Sequence, residues 1–279
     1  MKKIIIFIAL LVSISKAQTT EFSVYEANYP NVKDYNVNID ETTLVVNPLG
    51  SYVELNIYMT ISYDFNSWYF KNYNELEFIW KFNLPQDAIV HQFWYWVGDS
   101  IMAATVLDKW TAELLFNNVS SPVRNPGLLT QSAPDGNGQV AYDLRLFPIQ
   151  RNEKKRFKIQ YLVPCRPTGA NMRVWLPMTQ LISDNTTPSK FLKVLYKYGA
   201  NSYEPKIIGA TPIQSFDNKS LAAWEQDIPI EKNQFVEMEL PSPIKKDAFL
   251  STFTKNGENF YQLAVNPPNI PRTASPRTA

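Results

Sequence analysis

The chain has 279 residues, 45% hydrophobic and 19% charged, with 27 Lys and Arg against 26 Asp and Glu. That balance belongs to a globular chain and excludes a disordered one. The near-neutral charge gives a polyanion partner no footing, and a single cysteine excludes an internal disulfide framework.

The first residues, "MKKIIIFIALLVSISKAQ", set Lys2 and Lys3 before an apolar run from Ile4 to Ile14, then the small-x-small site Ser15-Lys16-Ala17. This pattern predicts a secretory signal peptide over 1–17 and export to the periplasm, the cell surface or the medium. The apolar run is too short for a bilayer span, and no later segment supplies one. Cleavage would remove three lysines and no acid, leaving 24 basic against 26 acidic residues.

Residues 18–39 are polar and mixed and predict an irregular or edge-like N-terminal segment. "SYVELNIYMTISYDF" (51–65) then alternates strictly, with Val53, Leu55, Ile57, Met59, Ile61 and Tyr63 on one face, which predicts a half-buried strand. "ELEFIWKFNLP" (75–85) and "AIVHQFWYWVG" (88–98) are further strands. A turn at Gly98-Asp99-Ser100 joins the second of them to "IMAATVLD" (101–108) as a hairpin. "DKWTAELLFNNVSS" (108–121) breaks the alternation. Trp110, Glu113, Leu114 and Asn117 recur at helical spacing behind Asp108 as N-cap, so one short helix is expected over about 109–119.

"QVAYDLRLFPI" (139–149) and "KRFKIQYLVP" (155–164) are strands joined by a charged link. Evenly spaced strand signals follow in "RVWLP", "FLKVLYKYG", "EPKIIGA", "LAAWEQDIP", "QFVEMELP" and "NFYQLAV". Together they predict an all-β antiparallel sandwich. The end, 267–279, contains the repeated Pro-Arg-Thr-Ala and no apolar period, and reads as a proline-rich linker or tail.

The ordered set "FNLPQDAIVHQFWYWVGDSIMAATVLDKWTAELLF", "VRNPGLLTQS" and "YDLRLFPIQRNEKKRFKIQYLVP" resembles a VIT (vault protein inter-alpha-trypsin) domain. Such domains stand at the N-terminus of inter-alpha-trypsin inhibitor heavy chains and of many bacterial surface proteins. Phe82, Leu84, Pro85, Ala88, Gly98, Lys109, Ala112, Pro148, Ile149 and Tyr161 fill the family's places. The resemblance covers 40–164, and 165–266 is expected to be a β-rich continuation packed on it.

The resemblance implies a VIT-type β-sandwich for interaction or scaffolding, without catalytic residues or cofactor. Its partner would be a protein, such as an extracellular-matrix or cell-envelope component, and not a nucleic acid. The family's usual next domain, of von Willebrand factor type A, binds metal through an Asp-x-Ser-x-Ser loop. That loop is absent here, so the domain and its metal site are not expected in this chain.

The residues themselves agree with a non-enzyme. His91, the one histidine, lies mid-strand, there is no Gly-x-Ser-x-Gly elbow, and one His with one Cys does not make an ordinary zinc site. "DGNGQ" (135–139) superficially looks like a calcium loop but lacks the acid that closes one, and reads as a tight turn.

Simple alternation puts Ile89, His91, Phe93, Tyr95 and Val97 on one face and Val90, Gln92, Trp94 and Trp96 on the other. Trp94, Trp96 and Trp110 are therefore the candidate contacts. Burial of the first two, in a central strand of the sandwich or beneath the helix, is favoured over exposure. If they are exposed, the alternative function is a carbohydrate-binding module that stacks sugars on tryptophan.

Overall fold

The computed structural model describes residues 20–265 apart from 27–30, 67, 69, 105–110, 112–113, 115–126, 185, 199–202, 233, 244–247 and 256–257. In chain order the strands are β1 (Glu21–Tyr25), β2 (Lys33–Asp34), β3 (Val37–Leu49), β4 (Tyr52–Tyr63), β5 (Glu75–Pro85), β6 (Ile89–Val97) and β7 (Ser100–Ala103). They continue with β8 (Gly127–Gln131), β9 (Gln139–Gln150), β10 (Lys155–Pro164), β11 (Arg166–Thr168), β12 (Asn171–Trp175) and β13 (Phe191–Lys197). The last are β14 (Lys206–Ile208), β15 (Gln214–Asn218), β16 (Ala223–Pro229), β17 (Glu237–Pro241), β18 (Ala248–Lys255) and β19 (Glu258–Val265). Single 3-10 turns lie at Met178–Gln180 and Lys219–Leu221.

The fold is all-β, as the alternation predicts. A five-stranded sheet, β2-β1-β5-β9-β8, faces an eight-stranded sheet, β15-β16-β13-β3-β4-β10-β6-β7. Phe22, Phe78, Trp80 and Leu144 from the first meet Leu44, Ile57, Phe157 and Val194 from the second in one buried core. Cross-sheet ring contacts hold the layers together: Phe157 lies 6.0 Å from Phe78 and 5.8 Å from Trp80, centroid to centroid. Trp80 stacks on Phe82 at 4.2 Å and on Phe22 at 5.6 Å, contacts that add to the area the rings bury.

Among the described strands, pairing is antiparallel except between β13 and β3. β13 runs parallel to β3, with Lys193 beside Thr43 and Tyr196 beside Val46. Strands from both sides of residue 165 therefore share one sheet. A four-stranded sheet, β11-β12-β17-β14, adds Met172, Val174, Met238 and Leu240 to the same core. β18 and β19 form a separate hairpin.

Two expectations change. Residues 18–39, read as irregular or edge-like, hold β1, the edge strand β2 and the start of β3. β1 pairs with β5, Phe22 opposite Trp80 and Val24 opposite Phe78. Its alternation spans only "EFSVY", too short to stand out locally, and its stability comes from a distant partner strand. The helix expected at about 109–119 falls almost wholly outside the described residues. Thr111 and Leu114, the two described positions within it, are helical.

Candidate interaction face around Trp94 and Trp96

β6 is paired to β10 on one side and to the short strand β7 on the other. Gly98 and Asp99 make the intervening two-residue turn. Gly98 takes φ +56 there, in the left-handed region that such a turn demands and glycine enters freely. Phe93 and Tyr95 point into the core, where their rings stack at 5.8 Å. Trp94 and Trp96 point the other way, onto the outer face of the eight-stranded sheet, and are half-buried.

The neighbouring strand supplies a cation to each. Lys158, directly opposite Trp94, carries its ammonium 4.2 Å from the Trp94 ring centre and 5.0 Å from that of Tyr58. The Arg156 guanidinium sits 4.4 Å from the Trp96 ring centre, and Tyr58 and Trp96 are 6.4 Å apart. Strands β4, β10 and β6 thus lay a strip of alternating rings and cations across the sheet. Lys158 is 5% exposed and Arg156 is exposed. The first cation is therefore largely desolvated and gains most from the ring faces, while the second stays available to a ligand.

One end of the strip is polar. Gln160 donates from Nε2 to Asn56 Oδ1. Asn56 in turn donates from Nδ2 to Glu54 Oε2 at 3.1 Å. His91 Nε2 lies 3.2 Å from Glu54 Oε1.

This geometry revises the face assignment of His91. The β6–β10 register shifts between Gln160 and Tyr161, so that Gln92 opposes Gln160 and Val90 opposes Tyr161, leaving His91 as the extra residue. Residues before the bulge change sides. Val90 packs on the core and Ile89 is exposed, the reverse of simple alternation. Trp110 lies outside the described residues.

The other side chains weighed for chemistry have structural settings. Asp135 Oδ1 accepts from the backbone N–H groups of Asn137 and Gln139, both at 2.8 Å, which closes "DGNGQ" as a turn. Burial pushes the Cys165 thiol up to about 12, so it is a poor nucleophile near neutral pH. Among the described residues no three His, Cys, Asp or Glu side chains are grouped to hold a metal ion. No helix among them is long and apolar enough to cross a membrane.

Other exposed aromatics had no periodic signal to reveal them. Trp68 lies under Lys71, 4.9 Å from its ring centre. Trp175 and Phe235, on different elements, meet edge to face at 6.1 Å. The only local cue is a Trp one residue from the strand-ending "LP" of "RVWLP".

Residues 53–161 match the family model of the Vault protein inter-alpha-trypsin domain, VIT. No curated protein matches the chain. Among solved structures, a protein of Legionella pneumophila, provisionally described as nutrient binding, is 12% identical, with 80% of this chain and 72% of that one covered at a TM-score of 0.42. A two-domain M1 zinc metallopeptidase bound to L-arginine is 8% identical, with 82% of this chain and 48% of that one covered at a TM-score of 0.35. This chain spans about half of the latter's length.

Proposed function

The chain carries a VIT domain over residues 53–161, and on that premise we propose that it is an exported, non-enzymatic interaction module. Its contact surface is the outer face of the eight-stranded sheet around Trp94 and Trp96. Its partner is a protein of the cell envelope or the extracellular surroundings. The observation that carries this reading is the exposed Arg156 guanidinium stacked 4.4 Å over half-buried Trp96. Tryptophan and arginine are the residues most enriched where protein interfaces concentrate their binding energy. A stacked guanidinium keeps its in-plane N–H donors free for a partner's carboxylates.

The same geometry argues against the carbohydrate reading. A sugar ring would stack on the tryptophan faces, and Lys158 and Arg156 already lie over Trp94 and Trp96. Support for a non-enzyme is chemical. His91 is engaged by Glu54, and the one thiol is held protonated by burial. Support for export is the charged, apolar and small-x-small order of residues 1–17.

The test compares the wild-type chain with Trp96→Ala and Arg156→Glu in affinity capture from the source's envelope and culture fractions, alongside a glycan array. A protein captured by the wild type and lost with both variants at unchanged melting temperature supports the proposal. A consistent glycan hit that depends on Trp94 and Trp96 overturns it. N-terminal sequencing of the secreted chain should begin at Gln18, and retention of the first 17 residues would remove the export part.

A further inference from the structure

Away from that face, a cavity of about 300 Å³ opens where the end of the sandwich meets the four-stranded sheet. Leu84, Val163, Val174 and Leu176 form apolar walls. At the mouth stand the two exposed rings, Trp175 and Phe235, 6.1 Å apart. Gly209 lets the opposite loop close in. Its φ is +89, and a Cβ there would lie 2.2 Å from the Phe235 carbonyl oxygen.

The polar side chains of the lining are Gln139, Tyr161, Arg173, Thr179, Gln180 and Gln234, and they are unequal. Thr179 Oγ1 donates to Gln180 Oε1 at 3.1 Å, and Gln180 Nε2 donates to the Asn83 carbonyl at 2.9 Å. Arg173 is committed elsewhere: its Nε and Nη2 each reach Glu239 Oε2 at 2.8 Å, and Nη1 lies 3.8 Å from Glu237. Among the described residues no acidic side chain lines the cavity, and its one cation is paired. The Gln234 carboxamide donates from Nε2 to the Gly209 carbonyl at 3.3 Å. That leaves its Oε1 buried with no hydrogen-bond partner. A buried acceptor without a donor costs free energy that a ligand N–H or O–H would recover. Tyr161, 2% exposed, forms part of the wall, and burial pushes its hydroxyl pKa well up, so it remains a neutral phenol.

We infer that this cavity is a binding site for a small, neutral, two-ring aromatic molecule carrying one N–H or O–H donor, and that Gln234 Oε1 receives the donor while Trp175 and Phe235 flank the rings. Each part of that class has its own reason. A cavity of roughly 150 Å³ holds one benzene, so twice that volume takes two fused rings. Apolar walls with a few polar groups among them, one of these an unpartnered buried acceptor, are the composition of small-ligand sites. Two aromatic rings already set edge to face provide the tilted and offset contacts that a third ring prefers. The inference does not rest on the Trp94–Trp96 face, and either site can fail without the other.

Indole is the minimal probe, and 1-methylindole, which lacks the N–H, is its control. Calorimetric titration of the full chain should give saturable one-to-one binding of indole, with a Kd on the order of 100 µM, as ligand-efficiency limits allow for so few atoms. The methylated probe should bind about fivefold more weakly. Gln234→Leu should erase that preference. Phe235→Ala, at a position 68% exposed, should weaken both probes about fivefold and leave melting unchanged. No saturable indole binding up to its solubility would overturn the assignment. So would an indole affinity indifferent to Phe235→Ala, or a wild type that does not distinguish the two probes. Binding of N-acetyltryptophanamide without binding of indole would move the site to protein recognition and likewise overturn it.

Discussion

Lys158 holds its ammonium 4.2 Å from the centre of the Trp94 ring opposite it on the neighbouring strand, while being only 5% exposed. A lysine so placed has given up most of its water. The Trp94 and Tyr58 faces are what replace it, and its four-carbon stem covers the sheet between them. Lys158→Met keeps the stem and removes the charge. It should cost about 1 kcal/mol, a fall of about 2–4 °C in melting temperature for a chain of this size. Lys158→Glu should cost several times more, because a carboxylate is repelled by the ring faces. Thermal unfolding followed by circular dichroism reads both, and a methionine variant that melts higher than wild type would mean that desolvation outweighs the ring contacts.

Trp80 ties the two parts of the chain. Its ring is fully buried between Phe22 and Phe82, and its Nε1–H donates to the Gln180 carbonyl at 3.1 Å. Gln180 answers with its own Nε2 donating to the Asn83 carbonyl at 2.9 Å. Trp80→Phe leaves a void and an unpaired carbonyl together, and should destabilise by about 2–4 kcal/mol. Denaturant unfolding should show the loss as a lower midpoint at unchanged slope.

The strands of this fold were legible because period-two alternation is local. Val53, Leu55, Ile57, Met59, Ile61 and Tyr63 all face the core as their spacing requires. What escaped depends on distant partners. β1 has five residues and exists because β5 and β2 pair with it. The parallel β3–β13 pairing has no local signature at all. At the candidate face the alternation placed Trp94 and Trp96 correctly opposite Phe93 and Tyr95, and misplaced His91. A one-residue bulge flips everything before it, and nothing in "AIVHQ" announces one. The cations over the rings come from β10, sixty residues further on, and the Trp175–Phe235 pair joins two elements equally far apart.

Glu225 and Lys193 form the best-defined ion pair of β16 and β13, 2.7 Å apart, with Asn218 donating to the second carboxylate oxygen at 3.1 Å. The hydrogen bond from Lys193, helped by that from Asn218, holds the Glu225 carboxyl below the usual carboxylate range. A depressed carboxyl contributes stability above its unfolded pKa and loses it as pH falls through the folded value. Glu225→Gln should therefore be less stable than wild type at pH 7, and the gap should close below about pH 4. Because Lys193 is partly exposed, the gap should stay near 0.5 kcal/mol and shrink in high salt. Equal stability of the two proteins across pH 3 to 8 would show the pair to be neutral.

Gly209 has no tolerable replacement. At φ +89 an L side chain is strained, and the added Cβ would overlap the Phe235 carbonyl oxygen at 2.2 Å, which is backbone and cannot swing away. Gly209→Ala should cost at least about 2 kcal/mol, combining left-handed strain with displacement of the 234–236 strand entry. Its comparator is Gly136, where a Cβ meets nothing within 4 Å, so Gly136→Ala should melt within a degree or two of wild type.

Strands on both sides of residue 164, the boundary expected from sequence, share the eight-stranded sheet. Cutting there removes β13, which pairs with β3 over Thr43 to Val46, and removes Leu192, Val194, Met238 and Leu240 from the common core. The remaining eight-stranded sheet would lose its first three strands and expose the β3 edge, with its apolar Leu44 and Val46 no longer covered along that side. Bare sheet edges recruit other chains. A fragment of residues 18–164 should therefore aggregate or remain unfolded, although it contains the whole family match at 53–161, whereas a fragment of residues 18–243 should fold. Circular dichroism, size exclusion and amide chemical-shift dispersion distinguish the outcomes. A cooperative, monomeric fold for 18–164 would make the strands after 165 an attached domain rather than part of the sandwich.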